Sequence, residues 1–126
     1  MSNEELLRAA AAASEKAYCK YSGFRVGAAL LCGDGTVFTG CNVENSSYSL
    51  TNCAERTAIF KAVSEGYTSF SAIAIVGGAD GDLSKPCFPC GACLQVMSEF
   101  CGGGFRIILT GGEYTLNDLM PNRFEL

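Results

Sequence analysis

The sequence contains no histidine. That absence removes Ser-His-Asp and Cys-His nucleophile schemes, and with them every imidazole metal ligand. A basic cluster is missing too. Nine Lys and Arg stand against thirteen Asp and Glu, giving a net charge of −4 and a pI near 4.7. Binding to a nucleic acid polymer rests on clustered cations, so no such polymer is an expected partner and a small neutral ligand fits better. Long apolar runs are also absent. Ala72-Ile73-Ala74-Ile75-Val76 is only strand-sized, which argues against a membrane span. The start, Met1-Ser2-Asn3-Glu4-Glu5, has neither the basic nor the apolar region of a signal peptide. These absences lead to the expectation of a cytosolic protein, working in the cytoplasm and away from membranes.

Against these gaps, 126 residues with 48% hydrophobic content are enough for one compact domain, expected to span 1–126, with a real core. Eight cysteines need a reason. A reducing cytosol disfavours disulfides. Cys19, Cys32, Cys41 and Cys101 stand alone in apolar or loop contexts and read as small buried side chains. The others fall into Cys53-Ala54-Glu55 and Cys87-Phe88-Pro89-Cys90-Gly91-Ala92-Cys93.

The coarse pattern places these groups. Ser2-Asn3-Glu4-Glu5 reads as a capping box opening a helix that Ala-rich sequence carries to about Tyr18. Phe24 to Leu31 and Thr36 to Cys41 read as a hairpin around Gly33-Asp34-Gly35. Asn42 to Tyr48 is a polar loop. Asn52 reads as the N-cap of a helix from about Cys53 to Ser64, stopped by Gly66. Ala72 to Val76 is an all-apolar, central strand. A further helix starts near Cys90 and ends at Cys101-Gly102-Gly103-Gly104. Phe105 to Leu109 and Glu113 to Leu116 complete the strands. This order implies helices on both faces of a sheet with a parallel portion at its later strands.

Both cysteine groups therefore sit at helix starts, where partial positive charge and free N–H groups favour the thiolate that zinc requires. Structural zinc normally takes four protein ligands, whereas three leave an open position for water. A carboxylate beside that position, Glu55, can shuttle protons, which is the layout of a hydrolytic zinc site. Glu55 has a plainer reading as the third residue of a capping box on Asn52. Two C-x-x-C registers are open, Cys87 with Cys90 or Cys90 with Cys93. A helix start after Pro89, with small Gly91 and Ala92, favours the second. Three thiolates over-neutralise Zn²⁺, and Arg56 is positioned to compensate.

With these residues in view, the chain resembles the small homotetrameric cytidine deaminase family. The matching blocks are Tyr21-Ser22-Gly23-Phe24-Arg25-Val26-Gly27-Ala28-Ala29-Leu30, Gly40-Cys41-Asn42-Val43-Glu44-Asn45, Cys53-Ala54-Glu55-Arg56-Thr57-Ala58 and Pro89-Cys90-Gly91-Ala92-Cys93-Leu94-Gln95-Val96. The resemblance implies an α/β fold, a three-layer α/β/α sandwich around a mixed five-stranded sheet. It implies one Zn²⁺ per chain on Cys53, Cys90 and Cys93, with Glu55 as catalytic proton shuttle. It further implies Asn42 and Glu44 as the ribose-binding pair and Phe24 as the aromatic against the base. Val43 and Ala54 join that substrate set. The loop Asn45, Ser46, Ser47 and Tyr48 is similar to one that reaches a neighbouring subunit's site, and Phe124 to a residue that covers a neighbour's substrate. A homotetramer with shared sites follows.

The implied reaction is hydrolytic deamination of cytidine and 2′-deoxycytidine in pyrimidine salvage. A same-fold deaminase of another nucleoside-like substrate, such as blasticidin S, is the alternative. Rival readings are a structural zinc or thiol-redox module on Cys87, Cys90 and Cys93, and a nucleoside-binding protein without turnover. Two departures stand out. Leu94 occupies a position where many relatives carry Arg, and the chain ends at Leu126, soon after Phe124.

Overall fold

The computed structural model describes residues 1–126. The first helix, α1 (Asn3–Ser14), opens as expected: the Ser2 hydroxyl accepts from the Glu5 N–H and the Glu5 carboxylate from the Ser2 N–H. It stops at Ser14 rather than near Tyr18. Residues 15–17 close in tight i→i−3 bonds, and Tyr18 then lies extended beside Val43. Helix propensity in the Ala run yields here to a tertiary pairing.

The strands are β1 (Phe24–Cys32), β2 (Val37–Cys41), β3 (Phe70–Ala79), β4 (Arg106–Leu109) and β5 (Gly112–Thr115). They form one sheet in the order β2-β1-β3-β4-β5, antiparallel except for the β3–β4 pair. The expected mixed five-stranded sheet is therefore present. Between the strands run α2 (Ala54–Ser64), α3 (Gly91–Phe100) and, after β5, the short α4 (Leu116–Leu119). The sequence reading assigned Leu116 to the last strand. Instead Thr115 and Asp118 form a capping box, and Leu116 turns in as a fully buried helical residue.

β3 is buried on both sides, as an all-apolar central strand requires. Its alternation divides the core. Ile73 and Ile75, with Leu30, Ile107 and Leu109, face Ile59 of α2 and Met97 of α3. Ala72, Ala74 and Val76, with Ala29 and Ile108, face Leu6 and Ala10 of α1. The result is an α/β/α sandwich with one thick apolar layer and one thin, alanine-rich layer.

Two glycines let helices sit close on this sheet. A Cβ on Gly27 would stand 1.9 Å from the Ala10 carbonyl oxygen, and one on Gly40 only 2.6 Å from both the Ala54 oxygen and the Ala58 nitrogen. Gly40 thus seats the N-terminal turn of α2 directly on β2. Since α2 leads back into β3 and α3 leaves it, both helix N-termini lie at the C-terminal edge of β3. No helix is long and apolar enough to cross a membrane.

Candidate active site

The N-terminal turns of α2 and α3 bring three sulfurs together. The Sγ atoms of Cys53, Cys90 and Cys93 all lie within 4.8 Å of one another. Cys53 and Cys90 are separated by 3.9 Å, and Cys90 and Cys93 by 3.6 Å. These separations are far beyond a disulfide bond of about 2.05 Å. They suit a metal instead: tetrahedral thiolates at a Zn–S distance of about 2.3 Å stand about 3.8 Å apart.

The local structure explains the convergence. Cys53 is the N-cap of α2 and Cys90 the N-cap of α3, and neither side chain caps its own helix. N-cap positions usually carry Ser, Thr, Asp or Asn to satisfy the first amides. Cysteine there leaves its sulfur free for another partner within the positive field of the helix end. The expected N-cap at Asn52 is displaced by one residue. Its amide nitrogen donates to the Thr57 hydroxyl (3.2 Å) instead. Glu55 consequently stands at the second helical position, and no capping box holds it.

Glu55 is only 4% exposed, unusual for a carboxylate. Burial, helped by the negative charge of Cys53, pushes its pKa up to about 7 against the opposing pull of backbone N–H and Arg56. Arg56 donates from Nη2 to the Cys53 sulfur at 3.1 Å. In the metal-free chain a hydrogen bond from Cys93, then Arg56, lower the Cys53 thiol to about 5. The same shared hydrogen bond with Cys53 pushes the Cys93 thiol up. Arg56 thus favours negative charge on the Cys53 sulfur, the form a metal ligand needs.

Cys87 lies outside the three-sulfur group but near it. A Cβ on Gly77 would stand 2.8 Å from its sulfur. Burial, then the charges of Glu55 and Cys53, push its thiol up to about 11.

The residues expected to meet substrate fall on the head of β1, the loop after β2, the start of α2 and the C-terminal segment. The Asn42 side chain is buried against β1, accepting from the Val26 N–H (2.9 Å) and donating to the Phe24 carbonyl (2.8 Å). Each half of its amide keeps one further hydrogen-bonding position. Val43 pairs with both Tyr18 and Asn52, so the polar loop is pinned between the end of α1 and the start of α2. Glu44 accepts from the backbone N–H groups of Tyr21 (3.0 Å) and Ser22 (3.1 Å) and from the Ser22 hydroxyl. Asn45 accepts from the Ser47 N–H (2.9 Å), shaping the exposed turn through Ser46 and Ser47 to Tyr48. Ala54 is fully buried, with its backbone against Gly40.

Phe24 at the head of β1 is 41% exposed and Phe124 is 67% exposed, so neither is a core residue of its own chain. The backbone of Phe124 is tied by its carbonyl to the Gln95 amide (3.4 Å), and its neighbour Arg123 donates to the Cys101 carbonyl (3.3 Å).

Residues 1–108 match the family model described as the cytidine and deoxycytidylate deaminase zinc-binding region. The chain belongs to this deaminase family. It is 51% identical over 129 aligned residues to a cytidine deaminase of Sporosarcina psychrophila, covering 98% of this chain and 92% of that one. It is 48% identical to the cytidine deaminase of Halalkalibacterium halodurans over 98% of this chain and 95% of that one. The crystal structure of cytidine deaminase from Burkholderia pseudomallei superposes with a TM-score of 0.91 at 50% identity, covering 98% of this chain and all of that one. The chain is thus an enzyme of a hydrolase family.

In this deaminase, Leu94 is 9% exposed and joins the apolar cluster beneath α3, so the departure at that position adds to the core. Three contributors carried no assigned role in the sequence reading: Ser22, Tyr21 and Gln95. Ser22 and Tyr21 hold Glu44 and Gln95 holds Phe124 through contacts between distant segments, which no local pattern announces.

Proposed function

We propose that this deaminase hydrolyses cytidine and 2′-deoxycytidine to uridine and 2′-deoxyuridine, releasing ammonia, with one Zn²⁺ per chain on Cys53, Cys90 and Cys93. The observation that carries the reading is the cluster of three cysteine sulfurs beside the buried carboxylate of Glu55. Bound there, Zn²⁺ would supply the Lewis acidity that brings a water's pKa towards neutrality. Arg56 offsets the excess charge of the thiolates through its contact with Cys53.

Glu55 performs the proton transfers. It accepts a proton from the water that adds to C4 of the pyrimidine and delivers it to N3. It then takes the remaining proton of the added hydroxyl and passes it to the amino group. The C4–N4 bond breaks, C4 becomes a carbonyl, and ammonia leaves. One carboxylate serves for every transfer because it is reprotonated and released again between steps. Glu44 accepts from a sugar hydroxyl, Asn42 supports it, and Phe24 packs on the base. Phe124 and the Asn45–Tyr48 loop reach a neighbour's site in a homotetramer. The setting is pyrimidine salvage in the cytoplasm, where thiolates stay reduced.

The test is the loss of cytidine absorbance in wild type and Glu55→Gln, with zinc per chain measured on both. Wild type is expected to turn over. The variant keeps its zinc and loses about 10²–10⁴-fold in rate. Zinc-loaded wild type without turnover on cytidine would overturn the substrate. The blasticidin-S deaminase of Bacillus cereus matches at only 29% identity over 79% of the chain, so blasticidin S is the next substrate to assay.

A further inference from the structure

The carboxylate of Glu44 is held entirely by hydrogen-bond donors of two adjacent residues. Oε1 accepts from the N–H groups of Tyr21 (3.0 Å) and Ser22 (3.1 Å), and Oε2 accepts from the Ser22 hydroxyl. An ionised carboxylate has about four acceptor positions, so one remains, on Oε2. The Ser22 oxygen is itself anchored, because it accepts from the Phe24 N–H at 3.0 Å. With its acceptor side engaged by Phe24, the hydroxyl has its single proton directed at Glu44. The Gly23 backbone, at φ +69° with its N–H on the Cys19 carbonyl (2.8 Å), bends the chain to permit both contacts. No lysine or arginine pairs with Glu44; the ion pair of the structure is Arg106 with Glu113.

We propose that Ser22 is a positioning residue for substrate: its hydroxyl aims the one open acceptor of Glu44 at a secondary hydroxyl of the sugar. The inference rests on the nucleoside deaminase reading above and adds to it the residue that sets sugar recognition. Ser22 is exposed and packs into no core, so its side chain has little structural duty beyond these two contacts. The Ser22 bond also keeps the Glu44 carboxyl below the usual carboxylate range, which preserves it as a pure acceptor. Removing the hydroxyl leaves Oε1 tethered and frees Oε2 to turn.

The experiment compares kcat and KM of wild type, Ser22→Ala and Ser22→Thr on cytidine and on 2′,3′-dideoxycytidine, with thermal midpoints for all three proteins. Ser22→Ala is expected to raise KM for cytidine about tenfold, the worth of one well-placed hydrogen bond, with kcat within about twofold. On the dideoxynucleoside, which offers no secondary hydroxyl, the same variant stays within about twofold of wild type. Ser22→Thr, which retains the hydroxyl, behaves as wild type on both. Equal losses on both nucleosides, no loss on either, or an unfolded Ser22→Ala chain would overturn the positioning role. Wild type inactive on cytidine overturns the function itself, and this role with it. Wild type active on both nucleosides leaves the function standing and puts Ser22 alone on trial.

Discussion

At the scale of single residues, the site depends on placing ordinary groups in unusual surroundings. Cys53 and Cys87 are near neighbours of one carboxylate, yet their thiols move in opposite directions. Hydrogen bonds from Cys93 and Arg56 lower Cys53 to about 5, whereas burial raises Cys87 to about 11. Thiolate is the reactive form. In metal-free protein at pH 7, iodoacetamide is therefore expected to alkylate Cys53 well before Cys87 or Cys101, whose thiol burial lifts to about 12. Mass mapping of the labelled peptides checks the order. The advantage of Cys53 should fade as pH falls through about 5, where its thiol protonates. Added zinc should protect Cys53. Faster labelling of Cys87 would contradict the assignment of charge within the site.

At the scale of elements, the decisive relation is that of α2 to the sheet. The sulfur of Cys53 reaches Cys90 and Cys93 because Gly40 lets the first turn of α2 rest on β2. Gly40→Ala puts a methyl 2.6 Å from the backbone of Ala54 and Ala58, and the helix must lift. Overpacking of this kind costs about 1–3 kcal/mol. The expected result is a lower urea midpoint together with at least tenfold weaker zinc retention against a chelator. Gly27→Ala meets Ala10 of α1 on the opposite face at 1.9 Å. It should cost stability as well, while leaving zinc retention of the folded protein close to wild type. Equal zinc loss in both variants would mean that general loosening, and not the seat of α2, governs the site.

At the scale of the whole molecule, several large apolar side chains are left outside the core. Tyr48 is 74% exposed, Leu50 68% and Phe124 67%. Tyr48 and Phe124 occupy the loop and the C-terminal segment proposed to reach neighbouring subunits, Leu50 follows in the same turn as Tyr48, and association offers all three burial. Sedimentation should give the mass of a tetramer rather than 13.2 kDa. Phe124→Ala is expected to lower kcat/KM about tenfold with zinc content unchanged, since the ring is largely exposed, belongs to neither core cluster and offers no ligand atom. A monomer with full activity would remove the shared-site proposal.

The nearly continuous apolar run at Ala72 to Val76, the capping box at Ser2 and the Pro-Cys-x-x-Cys spacing at a helix start are local signals. Backbone sterics and hydrophobic periodicity act over a few residues, so helices on both faces of a sheet, the approximate helix starts and the cysteine groups were legible in the sequence. The stop of α1 at Ser14, the N-cap at Cys53 in place of Asn52, the helical turn at Leu116 and the bond from Ser22 to Glu44 were not. Each is set by a partner distant along the chain: Tyr18 against Val43, α2 against Gly40, Leu116 beneath the sheet, Glu44 against the turn before β1. Packing and long-range hydrogen bonds override local preference at such points, and only the folded chain reveals which preference gives way.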